Sequence, residues 1–127
     1  MMLTFDNCYF ITFTISPGNY GKALVTYSDK IKEALRGASH WLFNEDYGET
    51  NSRLHFHALA SYPAKLDYTT IISIWQYGNV DFRPVYNKDE RSIREYLTKI
   101  TRHAVKATAG KIWRSRHKGA NPCITPS

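Results

Sequence analysis

Two histidines one residue apart, His55 and His57, interrupt the apolar run over residues 53–60, Arg-Leu-His-Phe-His-Ala-Leu-Ala. In an extended strand successive side chains point to opposite faces, so Leu54, Phe56 and Ala58 are expected to enter a core while both imidazoles project from the other side. Their Cα atoms then lie roughly 6.5 Å apart, two strand rises. Both rings can then lean toward one divalent ion with bonds of roughly 2.1 Å. A His-x-His pair alone is a weak signal, and a carboxylate beside it would strengthen it. The stretch Asn44-Glu45-Asp46 arrives at the right point of the chain to supply one from a hairpin partner. Two imidazoles and one carboxylate hold a metal while leaving positions for water or phosphate oxygens, which suits a Lewis acid better than a closed structural site. Alternation lets only one of Glu45 and Asp46 face the histidines, and both stand as candidates. Such mixed ligation favours Mn2+, with Mg2+ as the alternative.

Further along, Tyr96-Leu97-Thr98-Lys99 puts a tyrosine and a lysine three residues apart, on one side of a helix. A free phenol has a pKa of about 10. Covalent chemistry by Tyr96 therefore needs a strong electrophile and cationic help for the phenolate, which a metal-polarised phosphodiester and Lys99 would provide. The charge distribution points to the same substrate. Residues 91–118 carry nine Lys or Arg against Glu95, a net of 9 − 1 = +8, whereas residues 1–90 carry eight against ten Asp or Glu, 8 − 10 = −2. A mildly acidic body with one basic segment is what a phosphate-backbone surface requires. Within that segment Arg102, Lys106, Lys111, Arg114 and Arg116 are the candidate DNA contacts, together with Lys99.

The elements that must position these groups follow from periodicity. Residues 8–15 (Cys-Tyr-Phe-Ile-Thr-Phe-Thr-Ile) read as a strand stopped by Ser16-Pro17-Gly18. Residues 24–36 read as a helix with Leu24, Ile31 and Leu35 on one side, Thr26 or Ser28 as cap, and Gly37 at its end. Residues 39–47 form a second strand, joined by the loop 48–52 to the histidine strand as a hairpin. A helix over 68–77 closed by Gly78, a strand over 79–86 and a long helix over 89–107 complete the pattern. The order β-α-β-β-α-β followed by a helix predicts an α+β, ferredoxin-like split βαβ fold. In that arrangement the first and third strands are central in an antiparallel sheet, helices cover one face, and the C-terminal helix carries the tyrosine.

At 127 residues the chain is read as one domain over 1–110, followed by a basic, partly flexible tail over 111–127. The opening residues lack the basic lead of a signal peptide, and no apolar run is long enough to cross a bilayer, so a cytoplasmic protein without membrane partners is expected. Cys8 and Cys123 stand at opposite ends without Cys-x-x-Cys spacing and are read as free thiols.

Taken together, Phe10-Ile11-Thr12-Phe13-Thr14-Ile15, then His55-Phe56-His57, then Tyr96-x-x-Lys99, resemble the HUH endonucleases. The likeness is strongest to rolling-circle replication initiators of small single-stranded DNA phages and plasmids, and it runs from Tyr9 to about His103. Asp46-Tyr47-Gly48 ahead of Arg53-Leu54, and the stretch 75–85 ahead of the tyrosine helix, add to it. The resemblance implies a sequence-specific nickase that joins and nicks single-stranded DNA at an origin. Its tyrosine forms a 5′-phosphotyrosine link and frees a 3′-hydroxyl for a host polymerase. It further implies His55 and His57 as metal ligands with Asp46 or Glu45 as the third, Tyr96 as nucleophile and Lys99 as its auxiliary. Ile100 stands where two-tyrosine relatives carry the second tyrosine, so the resemblance implies an enzyme of the single-tyrosine kind. No Gly-x-x-x-x-Gly-Lys-Ser/Thr stretch occurs, which assigns unwinding to a host helicase. Two other readings compete. One is a single-tyrosine HUH transposase; the other is a non-catalytic ferredoxin-like nucleic-acid-binding module that stacks bases on its sheet.

Overall fold

The structure, a computed structural model, describes residues 3–4, 7–47, 54–85, 95, 98, 112–115 and 125–126. Its centre is β2 (Asn7–Thr14), which pairs antiparallel along its full length with β4 (Leu54–Tyr62). On the far side of β4 lies β3 (His40–Tyr47), and on the far side of β2 lies β5 (Val80–Pro84), both antiparallel. The four strands take the order β5-β2-β4-β3. The first and third strands of the β-α-β-β-α-β unit are therefore the inner pair, and the fold is α+β and ferredoxin-like. A fifth strand, β6 (Trp113–Arg114), extends the sheet beside β3. Separately, β1 (Leu3–Thr4) pairs with β7 (Thr125–Pro126), tying the two ends of the chain together.

Both described helices cover one face. Along α1 (Leu24–Ala34), Tyr27, Ile31 and Ala34 recur at helical spacing and are buried, with Leu35 just beyond. They pack with Ile71 of α2 (Tyr68–Ile74) and Trp75 onto Ile11 and Phe13 of β2, Phe56 and Ala58 of β4, and Phe43 of β3. Full burial of each large apolar side chain contributes about 1.5–3 kcal/mol. Trp75 is the hub of this layer: its ring lies 5.1 Å from both Phe13 and Tyr77.

Several boundaries differ from the sequence reading for identifiable reasons. Neither Thr26 nor Ser28 caps α1. The cap position is Ala23, without a side-chain bond, and the buried Ser28 donates its hydroxyl to the Val25 carbonyl inside the helix. The start of α2 is fixed by Asp67, whose carboxylate accepts from the Thr70 amide at 3.3 Å and the Thr70 hydroxyl at 2.7 Å. The side-chain bond from Thr70 is the main cause holding the Asp67 carboxyl below its ordinary range. The same helix ends at Ile74, three residues before Tyr77, because Trp75 leaves helical geometry and donates its indole N–H to the Thr14 carbonyl at 3.1 Å. Trp113 and Arg114, read from the sequence as part of the basic, partly flexible tail, belong to the sheet. The Trp113 ring stacks on Phe43 at 4.9 Å and 10°. Cys8 is disulfide-bonded, against the expectation of a free thiol, and Cys123 is the chain's one other cysteine. Of the long helix expected over 89–107, the described residues are Glu95 and Thr98, both helical and exposed; the rest lies outside the described residues.

Gly78 closes no helix; it lets two backbones meet. Ser16 N–H donates to the Tyr77 carbonyl at 2.8 Å and Thr14 N–H to the Asn79 carbonyl at 2.9 Å, and a Cβ on the glycine between them would overlap the Thr14 carbonyl. The obstacle is backbone and cannot swing aside. Gly78→Ala is therefore expected to lower the unfolding free energy by about 2 kcal/mol or more. Urea titration of both proteins checks this, and an unchanged midpoint would show that the chain relaxes there.

Candidate metal centre and nucleic-acid surface

The β2–β4–β3 register decides which residues share the face opposite α1 and α2. Thr12 and Asn44 flank His57 from either side, and Thr14 and Asp46 flank His55. Directly paired residues of an antiparallel ladder hold their Cβ atoms about 4.5–5.5 Å apart. The two histidines thus lie in the middle of the sheet with a hydroxyl residue on one side and an amide or carboxylate residue on the other.

Their side chains converge. The Nε2 atoms of His55 and His57 are 3.2 Å apart, and the rings meet edge to face at 81° with centroids 4.7 Å apart. Two lone pairs at that separation repel, so the geometry calls for a positive centre between them, either the proton of one tautomer or a cation. With metal–nitrogen bonds of roughly 2.1 Å, a separation of 3.2 Å corresponds to a ligand–metal–ligand angle of roughly 100°, between octahedral and tetrahedral values. The pair therefore fits one divalent ion. Behind it, Thr12 Oγ1 lies 3.4 Å from His57 Nδ1. A proton on Nδ1 directed at that hydroxyl leaves Nε2 as the electron-pair donor. Phe10 stacks on the His57 ring at 5.2 Å and 27°, fixing its plane. His57 is buried and His55 half-buried, which leaves the approach from the His55 side.

The two carboxylate candidates are separated by the strand pleat. Asp46, described by its backbone alone, occupies the register position opposite His55. Glu45 is paired with Phe56 and belongs to the opposite, helix-covered face, so it is removed from the candidate ligands. It is 7% exposed, and desolvation by burial raises its carboxyl above the ordinary carboxylate range. Among the described residues no three His, Cys, Asp or Glu side chains are grouped to hold a metal.

One residue that sequence reasoning passed over is Asn44, opposite His57. It is fully buried; its Nδ2 donates to the Glu45 carbonyl at 3.3 Å, which identifies the other side-chain atom as oxygen, and that Oδ1 has no partner among the described residues. A sealed carbonyl left unpaired costs about 1–3 kcal/mol. No signal in the sequence distinguishes this asparagine from a strand residue facing solvent; only the register does.

Of the expected nucleic-acid contacts, Arg114 is exposed on β6. It is paired with Leu42, in the row Arg83–Phe10–Leu59–Leu42–Arg114 that runs beside the His57 row. The sequence reading missed Arg83 at the other end of that row, where it makes an exposed ion pair with Asp81 at 3.3 Å. Tyr96, Lys99, Arg102, Lys106, Lys111 and Arg116 lie outside the described residues. Among the described residues no helix is long and apolar enough to cross a membrane.

No protein-family model matches the chain, and no curated protein matches it. Among solved structures it is similar to the hypothetical protein ORF119 from Sulfolobus islandicus rod-shaped virus 1. The two are 19% identical with a TM-score of 0.57, over 78% of this chain and 84% of that one. At that identity the likeness speaks for the fold.

The separation of Glu45 from the histidines has a measurable consequence. Burial raises the Glu45 carboxyl in the folded chain, so the folded state binds its proton more tightly than the unfolded state. Its favourable contribution is present in full below the unfolded carboxylate range and is lost as pH rises through the raised folded value. Glu45→Gln should accordingly raise the urea midpoint at pH 7, with the gain vanishing near pH 4, and should leave Mn2+ affinity unchanged. A variant that instead lost Mn2+ binding in calorimetry would restore Glu45 to the ligand set.

Proposed function

We propose that this chain is a metal-dependent, single-tyrosine endonuclease and strand transferase of the HUH kind. In this reading it nicks and joins single-stranded DNA at a replication origin and so initiates rolling-circle replication. The observation that carries the reading is the convergence of the His55 and His57 Nε2 atoms at 3.2 Å on the central strand of a ferredoxin-like sheet. The register position of Asp46 opposite His55 supports it further. A divalent ion, Mn2+ or Mg2+, when bound, polarises the scissile phosphate and neutralises the charge that gathers on its oxygens. His55, His57 and Asp46 would hold it; the Phe10 ring and the Thr12 hydroxyl orient His57.

The covalent step belongs to Tyr96. Its phenolic oxygen attacks the phosphorus, a phosphorus–oxygen bond forms to the tyrosine, and the bond to the 3′-oxygen breaks. The phenolic proton is given up, the leaving 3′-oxygen takes one from solvent, and the products are a 5′-phosphotyrosine and a free 3′-hydroxyl. Lys99, three residues further along the chain, lowers the cost of the phenolate. Joining is the reverse attack by a 3′-hydroxyl. The basic segment, with Arg102, Lys106, Lys111, Arg114 and Arg116, follows the DNA backbone. The partners are an origin single strand and the host's polymerase and helicase, in the cytoplasm.

The binding-module alternative needs aromatic side chains open to bases on the sheet face. Among the described strand residues of that face the Phe, Tyr or Trp ring is that of Phe10. It is 4% exposed and stacked on His57, an arrangement that suits orientation of a ligand better than base stacking.

Two measurements test the reading. With Mn2+ and a panel of single strands, the wild type is expected to form an SDS-resistant DNA adduct, and Tyr96→Phe, which keeps the ring volume, is expected to lose it while still binding DNA. An adduct formed by the Phe variant at the wild-type rate would place the nucleophile elsewhere. For the backbone track, removing one cation that neutralises a phosphate reduces the salt slope of single-strand binding by roughly 0.7. The double variant Arg114→Ala, Arg116→Ala is expected to show a shallower slope; an equal slope would remove both residues from the DNA track.

A further inference from the structure

We propose that Asn44 supplies its side-chain carbonyl oxygen as a ligand to the divalent ion held by His55 and His57. This rests on the metal-centre reading above and adds a residue to it. Three independent observations meet at Asn44. It stands directly opposite His57 in the β3–β4 ladder, on the face that carries both imidazoles. It is fully buried, so solvent does not satisfy it. Its amide is oriented, because Nδ2 donates to the Glu45 carbonyl while Oδ1 is left without a partner among the described residues.

An unsatisfied, water-sealed carbonyl at such a position is a cost unless something pairs with it when the protein is at work. The neighbouring groups limit what that partner is. Across the strand stands an imidazole whose Nε2 already converges with a second imidazole, so a proton donor there would compete with both ring nitrogens, whereas a cation serves all three as electron-pair donors. An amide oxygen is a neutral, hard donor of the kind Mg2+ and Mn2+ accept. Being uncharged, it adds affinity without adding another negative charge beside the incoming phosphate. Asn44 and Asp46 are two residues apart on β3 and share a face, so the strand offers one oxygen residue opposite each histidine.

The test is calorimetric titration of the full chain with Mn2+ alone, without DNA. Asn44→Leu keeps the branching at Cγ and removes the oxygen; it is expected to bind Mn2+ about 10–100-fold more weakly than wild type. Asn44→Asp, which restores an oxygen, is expected to recover affinity. Wild-type affinity in Asn44→Leu, with binding abolished in His57→Ala, would overturn the role of Asn44 and leave the histidine centre standing. Absence of Mn2+ binding by the wild type would overturn both. Should Asn44→Leu fail to fold, titration of 15N-labelled wild type with Mg2+ decides: the Asn44 side-chain amide signal should move together with the histidine signals. Histidine shifts without movement at Asn44 would refute the assignment.

Discussion

The pairing of β2 with β4 is the constraint from which the rest of the site follows. It runs the full length of β2, and its register puts Thr12 against His57 and Thr14 against His55. A slip of one residue would exchange the two faces, sending the imidazoles into the aromatic layer under α1 and α2 and turning Phe56 and Ala58 to the other side. That layer excludes the slip. Phe13 and Phe56 are fully buried against Trp75 and Tyr27, and no polar ring could replace them without an unpaired nitrogen. The apolar alternation of the two central strands therefore both holds the sheet together and aims the histidines.

The outer elements lock the inner pair. Trp75 joins the layers twice, through its ring contacts with Phe13, Tyr27 and Phe56 and through its indole bond to the Thr14 carbonyl at the end of β2. Gly78 then lets residues 77–79 lie against residues 14–16 and start β5 in register. On the other edge, Trp113 stacks on Phe43 and brings β6 alongside β3, the strand that carries Asn44 and Asp46. The residues on either side of the histidines are thus fixed by aromatic contacts made on the opposite face.

Much of this is legible in the sequence because it depends on period. The alternation in residues 8–15 and 53–60 and the helical spacing of Leu24, Ile31 and Leu35 identify elements whose burial the structure bears out within a few residues. What escapes such reading depends on contacts between distant segments. Two residues, Trp113 and Arg114, are too few to show a period, and only Phe43 makes them a strand. The early end of α2 comes from an indole bond to β2, and nothing in the spacing of the cysteines announces that Cys8 is bonded. The choice between Glu45 and Asp46 needs the register, which no property of either carboxylate reveals.

The same distinction explains why Asn44 escapes notice while the histidines do not. His-x-His is conspicuous because imidazole is uncommon and its spacing matches a strand. An asparagine in a strand carries no such mark, and it gains meaning only when its neighbours are known. Its burial, its anchored Nδ2 and its place opposite His57 hold its side-chain oxygen in one orientation on the histidine face. Preorganisation of this kind favours binding because little side-chain entropy is left to lose. Phe10 and Thr12 act in the same sense on His57 from the β2 side. The two imidazoles accordingly lie where three strands meet, with His57 braced from the β2 side and His55 half-buried. In the proposed reading, a metal bound there would be held rigidly on its protein side and left exchangeable on the side of His55.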